Sequence, residues 1–481
     1  MEVKLSDGRI IPMEMHKIKI VQQTNLASLE DRKSAIRNAG FNTFLLRSHD
    51  VFLDMLTDSG TNAMSDNQQS SMLVSDDAYA GSESFSKLEK SVQDILGLQY
   101  VIPAHQGRAC EHLLSRVFVK PGSFVITNYH FTTTKAHINL YGGEVLELIS
   151  EAGRETASTV QFKGNMDLDM LRDAIEKNGK ENIAFIRMEA TTNLIGGQPF
   201  SMENLKAVSE IAKNFGIMTV MDCSLISENA YFIKTREAGF EDKSIKDIIQ
   251  EMAAQVDLIY MSGRKSTMAR GGLIATNSPK IYREILPLVP VYEGFITYGG
   301  MSTKEIEAIA VGMREMVDLD IAGSGAEFIK FFVNRLEELG VPVVTPPGGL
   351  GCHIDASRFV PHIPWNEYPA SALAAAIYLV TGSRGMERGS LSMDRTPDGE
   401  EVPSDMELVR LAVPRRTFTL SQLEFMADRI AWLHKNRELI QGLRWVDEPP
   451  VLRFFIGRLD SIDGWEDALI NTFTAEFGDS R

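Results

Sequence analysis

From about Ser84 the chain alternates between two hydrophobic periods. FSKLEKSVQDIL carries apolar residues at helical spacing, and LQYVIPAH is a short apolar run of the kind a buried strand makes. QGRACEHLLSRVFV follows at once, with Cys110, Leu113, Leu114 and Val117 at i, i+3, i+4 and i+7, the stripe of an amphipathic helix. The alternation continues with the strand SFVITNYHF, the strand NIAFIRMEAT and helix MENLKAVSEIAKNFG, and the strand IMTVMDCS and helix SIKDIIQEMAAQ. It ends with the strand VDLIYM. Strands separated by helices predict an α/β domain with a mainly parallel sheet.

Beyond that domain the pattern loosens. A Pro-rich LPLVPVYEGFITYGG leads into a long helical segment from KEIEAIAVGMREMVDLDI to about Leu339. VPVVTPPGGLGCHIDASRF, helix SALAAAIYLVTG, strand ELVRLAVP and helix SQLEFMADRIAWLHKNRELI then predict a smaller α+β domain with longer loops. Residues 1–20, broken by Pro12, form an arm of the kind that lies on a neighbouring subunit or frays, and Ser28 to Asn38 is helical in composition.

Composition narrows the function. The formal charge of −16 and the lack of any Lys/Arg run exclude a nucleic-acid surface. Three widely spaced cysteines, Cys110, Cys223 and Cys352, fit a reducing compartment and give neither a disulfide framework nor a metal cluster. No secretory leader and no long apolar run is visible, so the expectation is a cytoplasmic protein with no membrane partner. There is no G-x-x-x-x-G-K-[ST], no G-x-G-x-x-G after a strand and no H-E-x-x-H.

In parallel sheets ligands sit beyond the carboxyl ends of the strands. His105 to Arg108, Asn193, Asp222 and Lys265 all follow predicted strands, so they are expected at one mouth. A lysine fixed just past a buried strand can attack an aldehyde, since burial lowers a lysine pKa from about 10.4 toward about 7–8. A lone Ser-Gly-Arg-Lys is more often a surface turn. Gln106-Gly107-Arg108 points a helix start and a guanidinium at one spot, which is either a phosphate site or a tight turn without a ligand. Asp222 either pairs with a pyridine nitrogen or caps the next segment. Phe131 either stacks on a ring or belongs to the core. Lysine, acid and phosphate cradle together fit pyridoxal 5'-phosphate. His105 and His353 are read as satisfied loop or core residues.

At this point the chain resembles a known family, the β-eliminating lyases of aromatic amino acids (tyrosine phenol-lyase and tryptophanase). The resemblance runs from the arm to RFFIGRL and is carried by MLTDSGTNAMSD, DDAYAGSESF, IPAHQGR, NLIGGQPFSM, ENAYFIK, YEGFITYGG, MERG and LRFF. It implies a fold-type-I, aspartate-aminotransferase-like enzyme and a homotetramer of active-site-sharing dimers. It also implies an N-terminal arm at 1–20, a large cofactor-binding domain at 56–319 and a small domain formed by 21–55 and 320–481.

Carried over by position, Lys265 matches the Schiff-base lysine and Asp222 the partner of the pyridine nitrogen. Gln106, Gly107, Arg108, Ser262 and Arg264 match the phosphate cradle, Phe131 the residue stacked on the cofactor, and Glu111 and Asn193 further cofactor contacts. Thr57, Ser59, Asn193 and Arg415 match the groups around the substrate carboxylate, and Tyr79 the proton donor to the leaving carbon. Thr132, Arg388 and Phe454 stand where the tyrosine phenol-lyase branch differs from tryptophanase, and favour a phenol-bearing amino acid as substrate. The family's monovalent-cation site, for potassium, maps to Asp77 and the backbone oxygen of Gly60.

The sequence also departs from the family. The arginine three residues beyond the strand-end aspartate is Leu225, the cation-site glutamate is Asp77, and a Gly-Gly-His histidine is Leu350. The loop after Lys265 is one residue shorter and contains Arg270, which is expected to lie near Asp77 and replace the potassium ion. These departures keep two other readings open: a related lyase or β-replacement enzyme acting on a different amino acid, and a catalytically silent cofactor-binding scaffold.

Overall fold

A computed structural model describes residues 1–396 and 398–479. The chain divides into two compact units. One comprises Met1, Ser59–Glu155 and Val160–Ala326; the other comprises Glu2–Asp58, Thr156–Thr159 and Glu327–Arg481.

The first unit is built on a seven-stranded sheet: β1 (Tyr100–Ala104), β2 (Phe124–Thr127), β3 (Glu144–Glu147), β4 (Ile183–Glu189), β5 (Thr219–Asp222), β6 (Leu258–Ser262) and β7 (Gly272–Thr276). Their spatial order is β1-β7-β6-β5-β4-β2-β3. The pairs β2–β3, β2–β4, β4–β5 and β5–β6 are parallel, whereas β7 runs antiparallel to both of its neighbours. The α/β architecture agrees with the expected one.

β7 was not legible as a separate strand. Gly271, at φ +121°, lets the chain leave β6, loop out and return as GLIAT, and its carbonyl accepts the Gly263 N–H at 2.8 Å. Because β7 reverses, β1 and β6 point the same way. Ala104 and Ser262 both pair with Gly272, so their carboxyl ends lie level.

Helices cover the sheet because their ends are specified by sequence. Ser82, Ser201, Ser244 and Ser302 accept the N–H groups of Phe85, Asn204, Asp247 and Glu305 at helix starts. Gly97 and Gly216 end two helices in the left-handed conformation. The apolar faces close a core on the sheet, with Val92, Ile126, Ile186, Met221, Ile259 and Ile309 all fully buried. The long helical segment is two helices, Thr303–Glu315 and Leu319–Glu338.

The second unit packs the wholly buried helix Pro369–Thr381 against a three-stranded antiparallel sheet of Gly351–Asp355, Leu408–Ala412 and Met386–Arg388. Its core also takes in Ile36, Phe332 and Phe454. The N-terminal segment forms a short antiparallel hairpin, Glu2–Lys4 with Ile10–Pro12. Among the described residues, no helix is long and apolar enough to cross a membrane.

Candidate active site

Strand register brings the first unit's predicted residues together. Glu189 pairs with Asp222, and Asp222 with Tyr260, forming one row near the carboxyl edge. Two residues past Tyr260 is Ser262, and the loop beyond it carries Lys265.

The loop is pinned from several sides. The Arg264 carbonyl accepts the Gly60 N–H at 3.1 Å and Asn62 Nδ2 at 3.0 Å, and the Lys265 carbonyl accepts the Met268 N–H at 3.0 Å. Ser224 Oγ accepts the Ser262 N–H at 2.9 Å, and Thr267 donates to the Gly263 carbonyl at 2.6 Å. Lys265 is half-buried, and its Nζ lies 5.2 Å from the centroid of the Phe131 ring. Phe131 and Thr132 open the helix Thr132–Leu140. Buried Glu111, on the helix Gly107–Phe118, accepts from Thr133 and Thr134 hydroxyls at 2.6 and 2.7 Å and so ties the two helices together.

Gly107 starts its helix directly against β6. A Cβ there would stand 2.9 Å from Ser262 Cβ and 3.2 Å from Ser262 Cα, so only glycine allows the backbone this close. Arg108 is exposed at the same helix start. Burial, then the charges of Arg270 and Arg108, lower the pKa of Arg264. None of these three arginines makes an ion pair among the described residues. Helix N–H groups and unmatched guanidinium groups fit a bound phosphate dianion.

Asp222 is buried and anionic. Burial pushes its pKa up, but Arg187, Lys265 and the hydrogen bonds from Ser224 outweigh this and hold it below the usual range. The Ser224 N–H donates to Asp222 Oδ1 at 2.9 Å. Asn193 opens the turn Asn193–Ile195, its N–H donating to Glu189 Oε1 at 3.0 Å. A lysine amine facing an aromatic plane, a buried carboxylate and an anion cradle fit pyridoxal phosphate.

Other predicted residues have different surroundings. Tyr79 is 67% exposed on its own unit and stacks on Phe295, centroids 5.0 Å apart. Ser59 offers its carbonyl to Arg264 Nη2 at 3.5 Å. Asp77 accepts from Thr303 Oγ1 at 3.3 Å and makes no ion pair with Arg270 among the described residues, and Arg270 itself is exposed. The guanidinium charge of Arg270 is felt by Arg264, whose pKa it helps to lower. Leu225 is buried at the start of the helix Ile226–Arg236. His105, read as a satisfied loop residue, is bonded to Glu293 at 2.5 Å.

Thr57, Arg388, Arg415 and Phe454 belong to the second unit. Arg388 Nη1 donates to Ser404 Oγ, Asp405 Oδ1 and the Met406 carbonyl at 2.8, 3.0 and 3.0 Å. Arg415 is buried beyond the strand Leu408–Ala412. Phe454 is fully buried against Phe44 and Phe455.

Sequence reasoning missed Arg187, Glu189 and Tyr260, whose side chains form one buried network with Asp222. The signal was present: Arg187 and Glu189 lie two apart in an otherwise apolar strand, on the same face.

Over 451 residues the chain is 44% identical to the tyrosine phenol-lyase of Symbiobacterium thermophilum, covering 93% of this chain and 98% of that one. The tyrosine phenol-lyase of Pasteurella multocida is 41% identical, with 94% and 99% covered. A serine palmitoyltransferase of Sphingomonas wittichii shares the fold at 13% identity, with a TM-score of 0.55 and 86% and 97% of the two chains covered. Residues 54–429 match the family described as Beta-eliminating lyase. Match length, identity and coverage agree: the chain belongs to the β-eliminating lyase family.

Proposed function

We propose that this chain is a pyridoxal 5'-phosphate-dependent lyase that splits an aromatic amino acid, with L-tyrosine and water giving phenol, pyruvate and ammonia. The observation that carries the reading is Lys265 facing Phe131 beside the buried Asp222 carboxylate, within a chain similar over 93–94% of its length to tyrosine phenol-lyases. Bound cofactor would supply an aldehyde for the substrate amine and a ring that accepts the electron pair left by the α-proton.

The chain's residues do the rest. Gln106, Gly107, Arg108, Ser262 and Arg264 would hold the phosphate, Phe131 would stack on the ring, Asp222 would pair with the ring nitrogen, and Glu111 and Asn193 would make further cofactor contacts. Arg415, with Thr57, Ser59 and Asn193, takes the substrate carboxylate. Lys265 removes the α-proton. Thr132 and Arg388, with Phe454, address the phenol end, and Tyr79 protonates the leaving carbon. The working form is a cytoplasmic homotetramer. A monovalent cation such as potassium at Gly60 and Asp77 belongs to the same reading.

Two observations favour a second reading, a related lyase or β-replacement enzyme on another amino acid. Leu225 puts an apolar side chain where the family pattern has an arginine, and Asp405 already engages Arg388. The experiment is to supply L-tyrosine to the cofactor-loaded enzyme, with and without potassium. Phenol and pyruvate in equal amounts support the first reading. A change in the cofactor's visible band without phenol moves the assignment to the second.

A further inference from the structure

Behind Asp222 lies a charge network that the proposed chemistry does not use. Arg187 is fully buried in β4. A single nitrogen, Nη2, donates to Asp222 Oδ2 at 2.8 Å and to Glu189 Oε2 at 3.0 Å. Its Nε donates to the Tyr260 hydroxyl at 2.8 Å, and its Nη1 to Thr127 Oγ1 and the Tyr129 carbonyl, both at 3.3 Å. All five N–H directions of a guanidinium are fixed by such a set, so Arg187 has little room to move.

Two buried carboxylates on neighbouring strands would repel, and a third charge between them is costly unless the geometry is closed on every side. Here it is closed. Glu189 Oε1 also receives the Asn193 N–H, and Asn128 Oδ1 receives the Glu189 N–H at 3.0 Å. Arg187 therefore withdraws charge from the oxygen of Asp222 that Ser224 leaves open. Glu189 returns a negative charge to the same row.

We propose that Arg187 and Glu189 are positioning residues that set how tightly Asp222 holds the proton on the cofactor's ring nitrogen, through the guanidinium shared between the two carboxylates. The inference rests on the cofactor reading above and adds the device that tunes it. With Glu189 ionised the three groups carry one net negative charge, which favours a protonated ring; with Glu189 neutral they carry none. Burial, reinforced by Asp222 and opposed by Arg187, brings Glu189 to a pKa of about 7. The charged or titratable groups around it are Arg187 on its own strand, Asp222 on β5, Tyr260 on β6 and Lys265 in the loop beyond, with Glu111 acting on Arg187 from the helix Gly107–Phe118.

The test uses the full chain loaded with ring-15N pyridoxal phosphate, titrated by 15N NMR. Glu189→Gln keeps the shape and the oxygen that receives the Asn193 N–H but removes one negative charge. The ring-nitrogen titration midpoint is expected to fall by one unit or more, a tenfold weaker hold on the proton. Arg187→Met with Glu189→Ala removes one charge of each sign and leaves the net charge at minus one, but it takes away the cation bonded directly to Asp222 at 2.8 Å, and the midpoint is expected to rise. A purely structural role for the pair would lower stability and leave the ring nitrogen where it was. Midpoints that stay at the wild-type value, or move together in one direction, overturn the inference. Should the double variant not fold, the isosteric Glu189→Gln decides alone. Wild-type protein showing no bound cofactor band would overturn the reading beneath the inference, whereas a normal band with unmoved midpoints overturns the inference only.

Discussion

One methyl group at Gly107 would separate the helix start from β6, and with it the phosphate cradle proposed above. The missing Cβ would fall 2.9 Å from Ser262 Cβ and 3.2 Å from Ser262 Cα and N, atoms fixed by the sheet and unable to swing away. Gly107→Ala should lever the helix start outward and turn its N–H groups off the phosphate. Overpacking of this kind costs about 1–3 kcal/mol, so thermal unfolding should come earlier by a few degrees. Cofactor affinity, followed by fluorescence titration of the stripped protein, should drop by about tenfold, since helix-end contacts each contribute about 0.3–1 kcal/mol and several are disturbed together. Unchanged affinity in a folded variant would mean that the helix end is not the cradle.

At the scale of elements, the helix Glu83–Leu96 depends on a residue outside it. Asp76 accepts the N–H groups of Glu83 and Ser84 at 2.8 and 3.1 Å, and the hydroxyls of Ser82 and Ser84 at 2.9 and 2.6 Å. The Ser84 hydroxyl bond, with the other three, outweighs burial and holds the carboxyl well below its usual range. The sign follows from that direction: a depressed carboxyl contributes its full stability above its unfolded pKa of about 3.9, and the contribution is lost progressively as pH falls from there through the lowered folded-state value. Asp76→Ala should cost about 1 kcal/mol near neutral pH, as lost helix caps do. The gap between the two melting curves should close in acid. A gap that persists there would assign the loss to packing instead.

The same scale shows what was legible beforehand. Strands such as VDLIYM and helices such as QGRACEHLLSRVF announce themselves by period, and a lysine or aspartate just past a strand end needs only the strand's direction to be placed. β7 was hidden because GLIAT, five residues after a glycine-rich loop, carries no signal for which neighbour it pairs with or in which direction. The Arg187–Glu189–Asp222 row was hidden for a related reason. It depends on register between strands more than thirty residues apart in sequence, and period within a strand says nothing about register between strands.

A single chain leaves large apolar side chains uncovered in both units. In the first unit, Leu73, Val74, Tyr79 and Val291 are 67–86% exposed, and Tyr79 stacks on Phe295 and meets Tyr298 edge-on, at centroid distances of 5.0 and 5.4 Å. In the second, Ile18, Ile20 and Val21 are 58–79% exposed within one short stretch. Scattered apolar residues need no explanation, but runs of large ones mark contact surfaces. Were Tyr79 the proton donor proposed above, an open position would also make it a poor catalyst, because water would compete with it at every turnover. The homotetramer proposed above would cover these surfaces. Sedimentation should give the mass of four chains. Because each chain carries a formal charge of −16, repulsion opposes assembly, and raising salt toward physiological strength should tighten it by screening over about 8 Å. Val291→Glu combined with Tyr292→Glu should shift the sedimenting species to smaller assemblies and lower turnover in step with dissociation. A monomer with full turnover would separate Tyr79 from any neighbour and remove it from the reaction.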